Sequence, residues 1–425
     1  MLLAFGKFDN YLECPQKLFE NNAIVKIEKS TMISQISNYE TIIIRHPIIN
    51  EFCSIEENTF KNFNNLKILK INPVDSISIK SNAFCNLSNL IQLDLSLFQY
   101  QYLSTNFSQT NQQTININLD SFAGLINLKG LTFRSFKFEC LINNIFNSLS
   151  KLETLRFESC TIDKIEEKAF DGIENLFQLC LNGCYFNEND LIAFKNLKEI
   201  QSLEISNIKL GQLKNVEYER KLNQFVQVFK NLKHLRSCDN NLKIIINEKI
   251  INDYITVNLQ SLCIDINSKP SITRQKPLKY QQVLPHYHTK IIDNLNNDIF
   301  KNLKNLEILE IKSNGIFEIE SYSFKNLHNL KKLNLSHNSI CVLKQYAFYG
   351  LGKLVEIDLS MNNIERIDKD AFNGCNSNLE NLSLLHNPIK INDLTEFIIK
   401  HDFNQNINIK FDKYSLTSNY FKFKN

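Results

Sequence analysis

The chain repeats one pattern of apolar and polar positions with a period of 24 residues. Phenylalanine marks the period, and apolar residues follow it 3, 6, 9 and 11 positions further on. After Phe324 these are Leu327, Leu330, Leu333 and Leu335. Such a fixed step predicts a repeat architecture in which neighbouring units stack. The phenylalanines in step are Phe60 and Phe84, then Phe122, Phe146, Phe170 and Phe194, and finally Phe300, Phe324, Phe348 and Phe372.

Each unit is expected to contain one short strand. Its last two apolar positions lie two residues apart, so both side chains point inward and the polar residue between them faces solvent. One unit cannot bury its apolar face alone, so the strands of successive units join in a sheet above stacked phenylalanines. The predicted fold is an α/β solenoid, a horseshoe with a parallel sheet on its concave side and irregular or short-helical structure on its convex side.

A polar ladder is expected to run through the stack. Asparagine falls 14 positions after the phenylalanine in the C-terminal units, where its side chain can turn inward and bond backbone amides of neighbouring turns. Two N-terminal units have cysteine there, and we expect both thiols to be free and buried. The ladder residues are Asn314, Asn338, Asn362, Asn387, Cys160 and Cys184.

The full pattern resembles the typical 24-residue class of leucine-rich repeats, which is found in Toll-type receptor ectodomains, Slit and chaoptin. Leu333-Asn334-Leu335-Ser336-His337-Asn338, followed by Ala347-Phe348-Tyr349-Gly350-Leu351, matches the consensus closely. The resemblance covers about residues 36 to 400. It implies a protein ligand bound on the concave face and an extracellular or cell-surface setting.

The spacing divides the chain into three parts. Residues 1–35 form a degenerate N-terminal cap, residues 36–392 hold about thirteen repeats, and residues 393–425 form a degenerate C-terminal cap. Residues 387 to 393 resemble the opening of the family's cysteine-rich C-terminal cap, but Ile391 and Asp393 stand where that cap has cysteines. Residues 393 to 401 still predict a capping helix.

Three insertions interrupt the step, near residues 97–115, 206–228 and 265–298. At the second one, the stretch from 214 to 230 carries apolar residues on one helical face, which predicts a helix. The third contains three of the seven prolines, which predicts a loop.

Composition and charge exclude several classes of function. A net charge of +3 with a pI near 8.1 is too balanced to predict nucleic-acid binding. Ten glycines and seven prolines argue against a glycine-rich phosphate-binding loop. The pair His286 and His288 has no acidic or cysteine partner nearby in the sequence. We therefore expect no metal, no cofactor and no catalytic residues, so the protein is not expected to be an enzyme.

The candidate binding residues are the polar positions of the strands and the positions just before them. Phe177, predicted to be exposed and flanked by Arg156, is the most hot-spot-like feature, because aromatic residues and arginine dominate interface energetics. The C-terminal part of this surface leans acidic. The candidates are Arg156, Phe177, Glu204, Glu307, Glu310, Lys331, Asn334, Glu356 and Asp358.

These features support two main hypotheses about function. The first is an extracellular or cell-surface binding protein that acts in adhesion, signalling or innate recognition, as the resemblance implies. The second is a cytoplasmic scaffold or regulatory subunit, favoured because Met1 to Asp9 lacks the pattern of a signal peptide and the cap cysteines are missing. No stretch of the sequence is long and apolar enough to be a membrane span. A third hypothesis is that the sequence belongs to a receptor whose membrane span lies beyond Asn425. A homodimer is compatible with all three.

Overall fold

The computed structural model of the protein describes residues 11–13, 40–45, 53–60, 63–73, 76–97, 113–213, 215–238, 258–265, 294–296, 299–375, 377–389, 403 and 407–412. These residues form two compact units, divided between Lys221 and Leu222. The predicted capping helix, most of the first and third insertions, and the pair His286 and His288 lie outside the described residues.

The first unit is a solenoid of parallel strands. Its strands are β1 (Tyr11–Glu13), β2 (Thr41–Arg45), β3 (Cys53–Ile55), β4 (Ile68–Asn72), β5 (Ile77–Ile79), β6 (Gln92–Ser96), β7 (Ile115–Ile117), β8 (Gly130–Arg134), β9 (Lys137–Phe138), β10 (Thr154–Glu158), β11 (Thr161–Ile162), β12 (Gln178–Asn182), β13 (Tyr185–Phe186), β14 (Ser202–Ser206) and β15 (Lys209–Leu210). The main sheet has the order β1-β2-β4-β6-β8-β10-β12-β14. Two narrower parallel sheets, β3-β5-β7 and β9-β11-β13-β15, follow it along the chain. One 3₁₀ helix spans Glu188–Asn196.

The second unit repeats this arrangement. Its strands are β16 (His234–Cys238), β17 (Ser261–Asp265), β18 (Asn294–Leu295), β19 (Ile308–Lys312), β20 (Glu318–Ile319), β21 (Lys332–Asn334), β22 (Val342–Leu343), β23 (Glu356–Asp358), β24 (Arg366–Ile367), β25 (Asn381–Ser383) and β26 (Asn408–Lys410). The main sheet has the order β16-β17-β19-β21-β23-β25-β26, and a narrower sheet has the order β18-β20-β22-β24.

The strand register follows the sequence period. Leu155 lies opposite Leu131 on one side and Leu179 on the other, so equivalent residues of successive repeats face each other. Burial alternates along these strands, as a sheet with one covered face requires. The terminal segments join the same pattern, since β1 pairs with β2 and β26 pairs with β25.

The predicted phenylalanine column forms the core beneath the main sheet. Consecutive rings lie 4.7 to 6.3 Å apart between centroids, mostly in stacked geometry. Such pairs add to the stabilisation from burial alone. The column therefore ties each repeat to its two neighbours.

Asparagine side chains bond the backbone behind the main sheet of the second unit. The Nδ2 of Asn338 donates to the carbonyls of Ile311 and Leu335, at 2.8 and 2.9 Å. Its Oδ1 accepts from the amides of Asn314 and Ile316, at 2.9 and 3.1 Å. These contacts satisfy backbone groups that would otherwise be buried without partners. Further asparagines that donate to the preceding repeat are Asn314, Asn362 and Asn387.

Two cysteines occupy the same place in the first unit. The Sγ of Cys160 donates to the Phe133 carbonyl at 3.5 Å, and that of Cys184 to the Phe157 carbonyl at 3.2 Å. Both side chains are buried, and burial raises the pKa of Cys160 to about 12 and that of Cys184 well above its ordinary value. A thiol therefore replaces the amide donor at this position.

The helix α1 (Asn215–Gln227) lies within the stretch where the sequence predicts one. Its buried face consists of Leu222, Phe225 and Val226, and Phe229 just after it is also buried. The hydroxyl of Tyr218 donates to the Ile208 carbonyl at 2.8 Å. Among the described residues, no helix is long and apolar enough to cross a membrane.

Candidate functional site: the exposed face of the main sheet

We call sheet face the set of side chains that point away from the core in the main sheet of each unit, on the strands and at the residue just before each strand. In the first unit its centre is a row in which Arg156 lies opposite Thr132 on one side and Cys180 on the other, with Glu204 beyond Cys180. The three neighbours of Arg156 therefore include two short side chains. That leaves the long guanidinium side chain room to lean across the sheet.

Arg156 and Glu204 close over Cys180. The Nη2 of Arg156 lies 3.3 Å from Glu204 Oε2, although the two residues are two strands apart. Cys180 beneath them is fully buried, and burial followed by the charge of Glu204 raises the pKa of its thiol to about 12. Cys180 lies between Leu179 and Leu181, at the middle strand position that the repeat pattern predicts to face solvent. That expectation is wrong because a short side chain between two long, oppositely charged ones is covered by them.

The ion pairs continue along the next row of the sheet face. Glu158 accepts from Arg134 at 2.8 Å and from Arg156 at 3.3 Å. Burial opposes the charged form of Glu158, but the hydrogen bonds and charges of the two arginines outweigh it and lower its pKa. Asn182 donates to Glu204 at 2.8 Å, which completes the chain of contacts. Glu158 and Glu204 thus both hold Arg156.

Arg156 retains hydrogen-bonding capacity. A guanidinium has five N–H donors, and two of them are used on Glu158 and Glu204 in the described part of the chain. The side chain is 30% exposed, so its unused donors lie at a partly desolvated surface. Donors of this kind can accept a carboxylate or a backbone carbonyl from another molecule.

Phe177 lies just before β12 and is 43% exposed. Its backbone N–H donates to Glu153 and its carbonyl accepts from Gln201, so these residues are its neighbours in adjacent repeats. Arg156 lies opposite Cys180, three residues further along the strand. The structure therefore separates Phe177 from Arg156 along the strand direction, where the sequence places them side by side.

A row of asparagines lies just before the strands, at positions for which the sequence did not predict a role. Asn89, Asn127 and Asn175 each donate through Nδ2 to a backbone carbonyl of the preceding repeat, at 2.7 to 2.8 Å. The sequence feature that indicates this row is the Asn-Leu pair that recurs five residues after the phenylalanine. A shallow groove runs along this row, lined by Glu40, Asn65, Lys67, Asn89, Ile91, Asn127, Lys129, Lys151, Glu153 and Asn175.

The sheet face of the second unit consists largely of internal ion pairs. Lys331 contacts Glu307 at 2.8 Å, Lys332 contacts Glu356 at 2.9 Å, and Lys312 contacts Glu310 at 3.0 Å. These lysines neutralise much of the acidic excess that the glutamates alone suggest.

Two sheet-face acids of the second unit, Asp358 and Glu310, also accept hydrogen bonds from uncharged side chains. Asn334 donates to Asp358 at 3.4 Å. The thiol of Cys263, which is buried and not solvent-facing as the pattern suggests, donates to Glu310 at 3.3 Å. In the part of the chain that the structure describes, no group of three or more His, Cys, Asp or Glu side chains is arranged to hold a metal ion.

The sequence matches two family models. The model of the leucine rich repeat matches residues 288–340 and 328–389, and the model of the BspA type leucine rich repeat region matches residues 93–221. Together the matches cover more than half of the chain. No curated protein matches the sequence.

Solved structures similar to this chain include the glycosylated Toll–Spatzle complex of Drosophila, the TLR13–ssRNA13 complex and the LRIM1/APL1C complex. Their TM-scores are 0.45, 0.47 and 0.45, at 16%, 18% and 15% identity. The alignments cover 89%, 96% and 90% of this chain, but it spans only 44%, 63% and 66% of theirs. The 24-residue repeat, the stacked parallel strands and the two family matches show that the chain is a leucine-rich-repeat protein.

Proposed function

We propose that the protein is a non-catalytic binding protein that recognises a protein partner through its sheet face. The observation that carries the proposal is Arg156, a half-buried guanidinium in the middle of four strands with donors to spare. Arginine at a partly desolvated position is typical of residues that dominate binding energy. Exposed Phe177, near the start of the same strands, supplies an apolar anchor for the same partner.

The remaining candidate residues give the surface its charge pattern. Ion pairs that already exist within the sheet face contribute specificity and association rate more than affinity. A partner with complementary charges aligns against them in one register. The proposed contacts are Arg156, Phe177 and Glu204 in the first unit, and Glu307, Glu310, Lys331, Asn334, Glu356 and Asp358 in the second.

We place this binding activity at the cell surface or outside the cell, in adhesion, signalling or innate recognition. The support is the resemblance of the repeats to the typical 24-residue class. A second candidate is an intracellular scaffold or regulatory subunit. It is favoured by the eight cysteines whose side chains the structure describes, all of which are free thiols. Thiol titration of unfolded protein from its native source separates the two, since fully reduced cysteines are expected only for the intracellular protein.

Binding is tested against an array of purified protein ectodomains, followed by affinity measurement for each partner found. Replacing Arg156 with Ala should weaken binding at least tenfold, because a partner carboxylate loses its donors. Phe177→Ala should also weaken it. The control is Lys195→Ala, which removes an equally charged side chain and its ion pair with Glu167 outside the sheet face.

The proposal fails if the affinity for every partner survives Arg156→Ala, Phe177→Ala and Asp358→Lys. It also fails if Lys195→Ala weakens binding as much as Arg156→Ala does. Thermal unfolding of each variant shows whether a lost affinity reflects lost folding.

A further inference from the structure

Three tyrosines form an aromatic cluster at the surface of the second unit, in the turns that follow β20 and β22. Tyr322 and Tyr346 stack with centroids 5.3 Å apart and planes 19° apart. Tyr349 packs steeply against both, at 5.2 and 6.2 Å. Tyr322 is 39% exposed and Tyr349 is 46% exposed, so the cluster presents aromatic surface to solvent.

The backbone at two of these tyrosines is strained. Tyr322 has a φ of 66° and Tyr346 a φ of 60°, a left-handed conformation that is unusual for a bulky side chain. At the same place in three repeats of the first unit, the left-handed residue is an asparagine, which tolerates this conformation. Those residues are Asn58, Asn82 and Asn144.

The tyrosines are not needed for the turn itself. The N–H of Tyr322 donates to the Tyr346 carbonyl, and that of Tyr346 to the Asp370 carbonyl, both at 3.0 Å. Asn58 and Asn82 donate to the next repeat in the same way. Since asparagine makes the same turn with less strain, the turn itself does not explain why tyrosine occupies this position in two repeats.

Planar polar side chains border the cluster. The carboxylate of Asp370 accepts from Gln345 at 2.9 Å and from Asn373 at 3.1 Å. Each amide keeps its carbonyl oxygen and one N–H for other partners. Gln345 precedes Tyr346 in the sequence, and the Asp370 carbonyl accepts from the Tyr346 N–H, so these donors and acceptors belong to the turns that carry the cluster. The backbone N–H of Lys325 donates to the Tyr322 carbonyl. Lys369 precedes Asp370 in the sequence, so the residues around the cluster carry charges of both signs.

We propose that this tyrosine cluster binds a neutral carbohydrate. A sugar ring has an apolar C–H face, which packs on an aromatic ring, and hydroxyl groups that both donate and accept hydrogen bonds. Amide and carboxylate groups match such hydroxyls, whereas a charged ligand gains little beside charges of both signs. The site lies outside the sheet face and stands independently of the protein-binding proposal.

The test uses immobilised neutral oligosaccharides that end in glucose, galactose, mannose or N-acetylglucosamine, with sialylated and sulfated ones as charged comparators. The protein should bind at least one neutral oligosaccharide. The double variant Tyr322→Asn with Tyr346→Asn should bind it at least tenfold more weakly, and Asp370→Asn severalfold more weakly. Phe317→Asn is the control, because Phe317 is an exposed aromatic residue of the same unit outside the cluster.

Thermal unfolding of the double variant provides the second readout. Because asparagine suits the left-handed backbone, the midpoint should stay the same or rise while binding is lost. A lower midpoint would show that the stacked rings serve stability, and would overturn the proposal. Binding to charged oligosaccharides alone, binding to none, or undiminished binding by the double variant would also overturn it.

Discussion

The ladder position shows how closely one side chain can substitute for another. The side-chain amide of Asn338 donates to three backbone carbonyls and accepts from two backbone amides. The thiol of Cys184 donates to the Phe157 carbonyl of the preceding repeat and, at the longer distance of 3.6 Å, to the Asn182 carbonyl. A thiol is a weak donor and acceptor, but it leaves no void and no charge. The first unit therefore keeps the geometry of the ladder with weaker bonds.

Replacing Asn338 should reveal this difference. Asn338→Ala leaves buried carbonyls and amides without partners and should destabilise the second unit by about 2–4 kcal/mol. Asn338→Cys should destabilise it less, since sulfur can take over part of the bonding. Urea unfolding measures both, with Asn363→Ala at an exposed neighbouring position as the control. Equal losses for Ala and Cys would show that ladder thiols only fill space.

Glu158 gives the first unit a pH-dependent contribution to stability. Its folded pKa is lowered, so the contribution is present above the ordinary glutamate pKa and is lost as the pH falls through the folded pKa. Glu158→Gln should therefore lower stability near pH 7, by roughly 1 kcal/mol for a partly exposed pair, and the difference should shrink as the pH is lowered through the folded pKa of Glu158. Unfolding midpoints across this range test it. The matched control is Glu167→Gln, because the exposed pair of Glu167 with Lys195 should contribute little to stability. A change in stability at Glu158 that does not depend on pH would contradict the electrostatic account.

At the scale of the elements, glycines determine how closely successive turns approach. Gly350 has a φ of 96°, and a Cβ added to it would lie 2.6 Å from the Cα of Lys325 in the preceding repeat. Gly315 also has a positive φ, 72°, but a Cβ there would meet nothing within 4 Å. A side chain at Gly315 would therefore introduce backbone strain alone, whereas one at Gly350 would add steric contact between turns.

Alanine at these two glycines should have unequal effects. Gly315→Ala should cost about 1 kcal/mol for the left-handed backbone alone. Gly350→Ala should cost at least about 2 kcal/mol more, because the turn must move away from a backbone that cannot yield. Denaturant unfolding measures both free energies. Similar losses at both positions would mean that the turns can separate without cost.

The repeat spacing predicts those features of the fold in which a residue contacts the equivalent residue of the next repeat. The strands, their register and the phenylalanine column follow from the period, because equivalent residues lie opposite each other. The contact between Arg156 and Glu204 does not follow, since it depends on the intervening Cys180 being short. The left-handed tyrosines are likewise invisible in a pattern that treats their position as a variable turn residue.

At the scale of the whole molecule, stability is expected to be local. In a stack of repeats, each repeat contacts only the repeats on either side of it. Destabilisation in one region therefore spreads over a limited distance. Buried thiols report on this, because a cysteine reacts as the thiolate and must first become exposed. Cys184 lies in the first unit and Cys375 in the second, and burial raises the pKa of both, that of Cys375 to about 12.

A cavity in the phenylalanine column should therefore increase the alkylation rate of the nearer thiol more than that of the distant one. Phe324→Ala removes a ring that stacks on Phe300 and Phe348 and should cost about 3–5 kcal/mol. We expect alkylation of Cys375 to accelerate at least a hundredfold and that of Cys184 to change less than twofold. Phe146→Ala in the first unit should do the reverse. Mass spectrometry of the labelled peptides measures both rates, and equal acceleration of both thiols in either variant would show that the chain opens as one cooperative body.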